Sequence, residues 1–141
     1  MAEKMSEAAE KIGKKAKVHI KLDTGMSRIG FKQDDESLEV IKKIAELPGI
    51  EIEGCFTHFA TMDEKDKTKA MKQFERYMDF VERIEDVGIK IPVKHVSNSA
   101  GIIEKQEVNL DMVRDGICVY GMYPSDEVDK TKLKLTPAME I

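Results

Sequence analysis

KVHIKLDTGMSRIGF, residues 17–31, opens as a β-strand and closes as a turn. Val18, Ile20 and Leu22 alternate with His19, Lys21 and Asp23, so one face is aliphatic and the other carries three ionisable groups. The strand runs into Thr24, Gly25, Met26 and Ser27, a small-residue turn that ends at Arg28 ahead of a second apolar run. A solvated face accounts for this pattern. A barrel does so equally well, with the aliphatic face packed on helices and the polar face pointing inward.

The neighbouring segments extend the pattern. Met1, Met5, Ala8, Ala9 and Ile12 recur at helical spacing before Gly13, and Leu38, Ile41, Ile44, Ala45 and Leu47 repeat that period until Pro48–Gly49 stops it. IEIEGCFTHFA, residues 50–60, follows as a strand, then Ala70, Met71, Phe74, Tyr77, Met78, Val81 and Ile84 mark a long amphipathic helix closed at Gly88. IPVKHVSNSAG (91–101) reads as a third strand and MVRDGICVYGM (112–122) as a fourth, joined by a short helical link through Ile102 and Ile103. Helices between the strands predict a parallel sheet of βα units, either doubly wound or part of a (β/α)8 barrel. Polar and small residues gather after each strand, at 24–28, 57–61, 97–101 and 114–116, where such folds build their sites.

Composition removes several function classes. The 141 residues are 41% hydrophobic and 35% charged, with a net charge of −4, well mixed in sign. That is an ordinary globular balance without the basic footprint of a nucleic-acid or anionic-membrane binder. No apolar run approaches a membrane span, and the charged start is unlike a signal peptide, so a cytoplasmic protein is expected. Cys55 and Cys118 lie far apart in apolar segments and read as buried small hydrophobes rather than a disulfide or metal pair. No metal site is expected. The G-x-G-x-x-G and G-x-x-x-x-G-K-[ST] patterns are missing, so the commonest nucleotide-binding readings have no support.

HIKLDTGMSRIGF, GCFTHFATMDE, HVSNSAG and MVRDGICVYGM together resemble four successive signature blocks of the alanine racemases, in family order and at family-like intervals. The resemblance implies an α/β fold: about four βα units of the pyridoxal 5'-phosphate-binding (β/α)8 (TIM) barrel of fold-type III enzymes. Residues 1–132 would form its C-terminal half, and residues 133–141 the start of a connection to a β domain. A lysine-bearing K-A-x-A-Y-G block and the domain with the tyrosine base have no counterpart here, so the chain is expected to be an inactive fragment. The parent would be a homodimer that interconverts L- and D-alanine for peptidoglycan. A serine racemase of the same fold, a non-catalytic pyridoxal-phosphate-binding barrel and a half-barrel with no activity are the alternatives.

The same resemblance assigns roles to individual residues. It places Arg28 on the cofactor's phenolic oxygen and the substrate carboxylate, which suit a planar guanidinium fork. Lys21, carbamylated in several relatives, would orient Arg28 as an anion, or else would simply pair with Asp23. His58 would support Arg114. Ser99 and the backbone of Gly116 and Ile117 would form a phosphate cup, with Asn98 nearby in no assigned role. Arg114 would meet the pyridine nitrogen, where arginine can only donate a hydrogen bond and leaves that nitrogen unprotonated. His19 and His95 are given structural roles. Ser27 replaces a glycine common in relatives, a change of little weight unless the position requires positive φ.

Overall fold

A computed structural model describes residues 1–138. Helix α1 (Ala2–Lys11) precedes strand β1 (Ala16–Lys21); helix α2 (Asp35–Ala45) leads to β2 (Ile50–Phe56), and helix α3 (Thr68–Asp86) to β3 (Val93–His95). A short helix α4 (Ser99–Glu104) follows, with 3-10 turns at Gln106–Val108 and Ile117–Tyr120. The strands form one parallel sheet in the order β1-β2-β3.

Local chemistry explains most boundaries. Asp34 accepts from the Ser37 amide at 2.8 Å to cap α2, with Asp35 and Glu36 in its first turn and Lys42 and Lys43 in its last, complementing the helix dipole. Helix α3 lays Ala70, Tyr77, Phe80, Val81 and Ile84 into the core against Ile20, Leu22, Cys55 and Val96 from the sheet side. The buried Tyr77 hydroxyl donates to the Cys55 carbonyl at 2.7 Å, bolting α3 to β2. Both cysteines are free and buried, as expected, and burial pushes the Cys55 thiol up to about 12.

Two strand expectations need correction. The third strand spans three residues, because Ser99 to Glu104 already turn into α4 behind the Asn98 cap. Residues 112–122 form no strand. They run beside β3, with the Asp111 amide on the Lys94 carbonyl and the Arg114 amide on the Ser97 carbonyl, both at 3.1 Å. Gly116 then leaves the extended region at φ −132°, ψ −97°, and the chain closes a 3-10 turn instead of continuing a ladder. The expected connection at 133–141 reaches beyond the described residues from Met139 onward; within it, the Ala138 amide donates to the Val119 carbonyl.

A β-bulge shapes the inner face. The β1/β2 register runs Val18 opposite Ile52 and then His19 opposite Gly54, leaving Glu53 as the extra residue. A Cβ on Gly54 would stand 2.5 Å from the Val93 carbonyl oxygen and 2.6 Å from His19 Nδ1, so only glycine fits. The missing side chain opens a path over β2.

Tyr77→Phe should cost about 1–2 kcal/mol, the loss of one buried hydrogen bond. Urea denaturation should show this as a lower midpoint with an unchanged slope.

Candidate active site

The strand ends converge as predicted, and Arg114 is their centre. Its NH1 donates to His95 Nδ1 at 2.6 Å and to the His95 carbonyl at 3.3 Å. Its NH2 donates to the Thr57 carbonyl at 2.8 Å, with His58 Nδ1 at 3.4 Å and the Val96 carbonyl at 3.5 Å. The guanidinium carbon also lies 5.0 Å from the centroid of the Phe56 ring, on which His95 stacks. Both terminal nitrogens are engaged, and the acceptors are carbonyls and imidazoles. Among the described residues no carboxylate pairs with Arg114.

His58 is therefore a lesser support than expected, and His95 is the main one. Neither ring carries charge comfortably. Burial, with Arg114 and His19 beside it, pushes His95 down to about 4, and burial with Arg114, Arg28 and Lys21 lowers His58.

The loop after β1 is organised by Asp23, which the sequence reading considered only as a partner for Lys21. Its carboxylate accepts from the amides of Gly25 at 3.2 Å, Ser27 at 2.9 Å and Arg28 at 3.0 Å. Burial acts against its ionisation, but these three amides prevail and hold its carboxyl below the usual range. They also fix Ser27 at φ +55°, so this position does use the left-handed region that glycine favours. The Arg28 side chain is exposed and, among the described residues, makes no hydrogen bond.

Lys21 makes no ion pair with Asp23. Its ammonium donates to the Ile29 carbonyl at 2.5 Å and lies 5.9 Å from the Phe56 centroid. Burial and the charges of Arg28 and Arg114 lower its pKa despite Asp23.

Beside Arg114 is a pocket of about 220 Å³. His58, Asn98, Ser99, Arg114, Gly116 and Ile117 line it, so six of the eight predicted site residues share one cavity, while Arg28 and Lys21 stand outside its walls. Ser99 Oγ donates to Asp115 Oδ1 at 2.7 Å, and the Gly116 amide donates to the same oxygen at 2.8 Å. The hydroxyl and amide expected to grip a phosphate thus already grip an anion, the carboxylate of Asp115. The donor set suits an anionic group. Asn98 instead caps α4, its Oδ1 accepting from the Gly101 amide at 3.1 Å.

Residues 1–124 match the family model for the alanine racemase N-terminal domain. The chain belongs to this family. The alanine racemase of Methanococcus maripaludis is 51% identical over all 141 residues, which cover 38% of that relative. The solved alanine racemase of Clostridium difficile 630 in complex with cycloserine superposes with a TM-score of 0.92 at 47% identity, over 96% of this chain and 37% of that one. The Bacillus anthracis alanine racemase with bound L-Ala-P gives 0.84 at 33% identity, over 97% and 36%. The chain thus spans little more than a third of the alanine racemases it matches, and its parallel α/β fold is part of their TIM barrel.

His95, Asp23 and Asp115 were the residues that sequence reasoning undervalued. Only Asp23 had a local signal, since an aspartate followed by Thr-Gly at a strand end is a turn former.

His95 is neutral when folded and takes up its proton only near 4, whereas an unfolded histidine does so near 6.5. As pH falls through that window the unfolded state gains the proton first, so stability is lost on acidification and is fully present above 6.5. Denaturation midpoints measured across this range should fall more steeply for the native chain than for His95→Gln.

Proposed function

We propose that this chain supplies the cofactor-holding half of a pyridoxal 5'-phosphate-dependent alanine racemase. The observation that carries the reading is Arg114, a cation with both ends fastened by carbonyls and imidazole and, among the described residues, no carboxylate paired with it, at the mouth of a pocket whose other wall binds an anion.

In this reading Ser99 and the amides of Gly116 and Ile117 hold the cofactor's phosphate, displacing the Asp115 carboxylate. The bound cofactor supplies an electron-accepting ring for the substrate's α-carbon. Arg114 meets the pyridine nitrogen. With both terminal nitrogens fastened, its Nε–H is the donor left to point there, and an arginine does not give up a proton, so the nitrogen stays unprotonated. Arg114, holding that nitrogen without protonating it, would leave a bound cofactor a weaker electron acceptor than a carboxylate would, and so would limit side reactions such as transamination. His58 stays neutral beside Arg114, because a second positive charge there is opposed by burial and by the guanidinium.

Arg28, on a loop fixed by Asp23, has its guanidinium available for the substrate carboxylate and the cofactor's phenolic oxygen. Lys21 is suited to carbamylation, because its lowered pKa enlarges the neutral amine fraction that adds to carbon dioxide, releasing a proton. The resulting anion would hold Arg28 by charge. The cycloserine complex of the C. difficile relative and the L-Ala-P complex of the B. anthracis one support a site for alanine-sized amino acids. The homodimer, the cytoplasmic location and the supply of D-alanine for peptidoglycan belong to the same proposal.

The lysine near Arg28 is engaged with the Ile29 carbonyl. Incubated with pyridoxal phosphate and L-alanine, the isolated chain should therefore form no more D-alanine than the cofactor alone. Turnover above that level, abolished in Lys21→Ala, would show that the chain carries its own base. In the full-length parent, racemisation should require pyridoxal phosphate, and Arg114→Glu should raise transamination relative to racemisation. A parent without cofactor-dependent racemisation would refute the assignment.

A further inference from the structure

A chain of side-chain hydrogen bonds leaves Arg114 in the direction away from the pocket. His95 Nδ1 takes the guanidinium, His95 Nε2 lies 2.7 Å from His19 Nδ1, His19 Nε2 lies 3.3 Å from Glu53 Oε2, and Glu53 Oε1 accepts from Lys17 at 2.7 Å. His19 and His95 belong to β1 and β3, which are not neighbours. Their rings meet across β2 because Gly54 has no side chain and the bulge at Glu53 sets it opposite His19.

The protons in this chain have one arrangement. A guanidinium only donates, so His95 Nδ1 must be bare and its proton must sit on Nε2. His95 Nε2–H then donates to His19, so His19 Nδ1 must also be bare, and its own proton sits on Nε2 and points at Glu53. A carboxylate only accepts, which closes the chain at the strand surface. Every hydrogen bond points the same way, from Arg114 outward to Glu53.

We propose that His19, oriented by Glu53, is a positioning residue for Arg114: it accepts the Nε2 proton of His95 and so holds that imidazole in the tautomer whose Nδ1 receives the guanidinium. Without an acceptor at His19, the Nε2 proton of His95 is left unpaired in a half-buried place, and only the guanidinium opposes its shift to Nδ1. On Nδ1 it meets the N–H of Arg114 head-on, and the arginine loses its shortest hydrogen bond. The role rests on the reading of Arg114 as the group beneath the pyridine nitrogen, but the tautomers can be read without any cofactor.

The test uses the full-length parent with ¹⁵N-labelled histidine, and long-range ¹H–¹⁵N correlation spectra at neutral pH with and without pyridoxal phosphate. His95 and His19 should both appear as Nε2–H tautomers. In His19→Phe, His95 should show Nδ1–H character and kcat should fall about tenfold, a usual cost of losing an orienting partner, with KM nearly unchanged. His19→Asn, whose Oδ1 falls near the position of Nδ1, should restore both. Glu53→Ala, at a strand surface where the fold is not at stake, should shift the tautomers of His19 and His95 together. An Nδ1–H His95 in the native enzyme, an unaltered His95 in His19→Phe, or a Glu53→Ala protein in which His19 shifts alone would each overturn the proposal. A parent without racemase activity would sink the functional assignment while leaving these spectra able to judge the histidine chain.

Discussion

The arrangement turns on a half-buried guanidinium that, among the described residues, has no counter-ion. Removing a cation from water costs several kcal/mol unless its donors are met. Here they are met by the carbonyls of Thr57, His95 and Val96 and by the ring of His95. Those carbonyls belong to the ends of β2 and β3, so the parallel sheet must be formed and in register before Arg114 has a place. Its own backbone is tied to β3 through the Ser97 carbonyl. Neutral acceptors hold the charge in position without cancelling it.

That charge shapes what surrounds it. Together with burial it lowers His95 and His58, and with burial and Arg28 it lowers Lys21. Phe56 suits this setting, with His95 stacked on it and the cations of Lys21 and Arg114 near its face. Anions stay at the margins: Asp23 is enclosed by amides of its own loop, Asp115 is held by Ser99 and Gly116, and Glu53 faces outward with Lys17. Separation of charge by position, rather than by pairing, is the common feature of the site.

The helices serve the same end from outside. Tyr77 fixes α3 to β2 at Cys55, and Gln73 on the same helix donates to the His58 carbonyl and accepts from the Ala60 amide. The strand that carries Thr57 and His58 into the site is thereby held on its outer side by a single long helix. Movement of α3 would be felt at Arg114 through the Thr57 carbonyl.

How much of this was legible in the sequence follows from the range of each interaction. Periodicity located α1, α2 and α3 and strands β1 and β2, because the alternation of apolar residues is a local property of the chain. The alternating face of β1 and the small residues after each strand marked where polar groups would gather, and the motif blocks marked Arg28, Arg114, Ser99 and Gly116 with the family they belong to. Residues 112–122 misled, since a β-rich composition does not reveal that Gly116 turns the chain away from β3. Ser27 at positive φ, the separation of Lys21 from Asp23, and the occupation of the phosphate donors by Asp115 depend on loop geometry that spacing does not encode. The histidine chain depends on more still. His19 and His95 lie 76 residues apart and meet only because a bulge and a glycine in the intervening strand clear the way. Sequence fixes which groups are available and on which face of a strand they lie; which of them share a proton is decided by packing, because a hydrogen bond requires an approach within about 3 Å that only the assembled sheet provides.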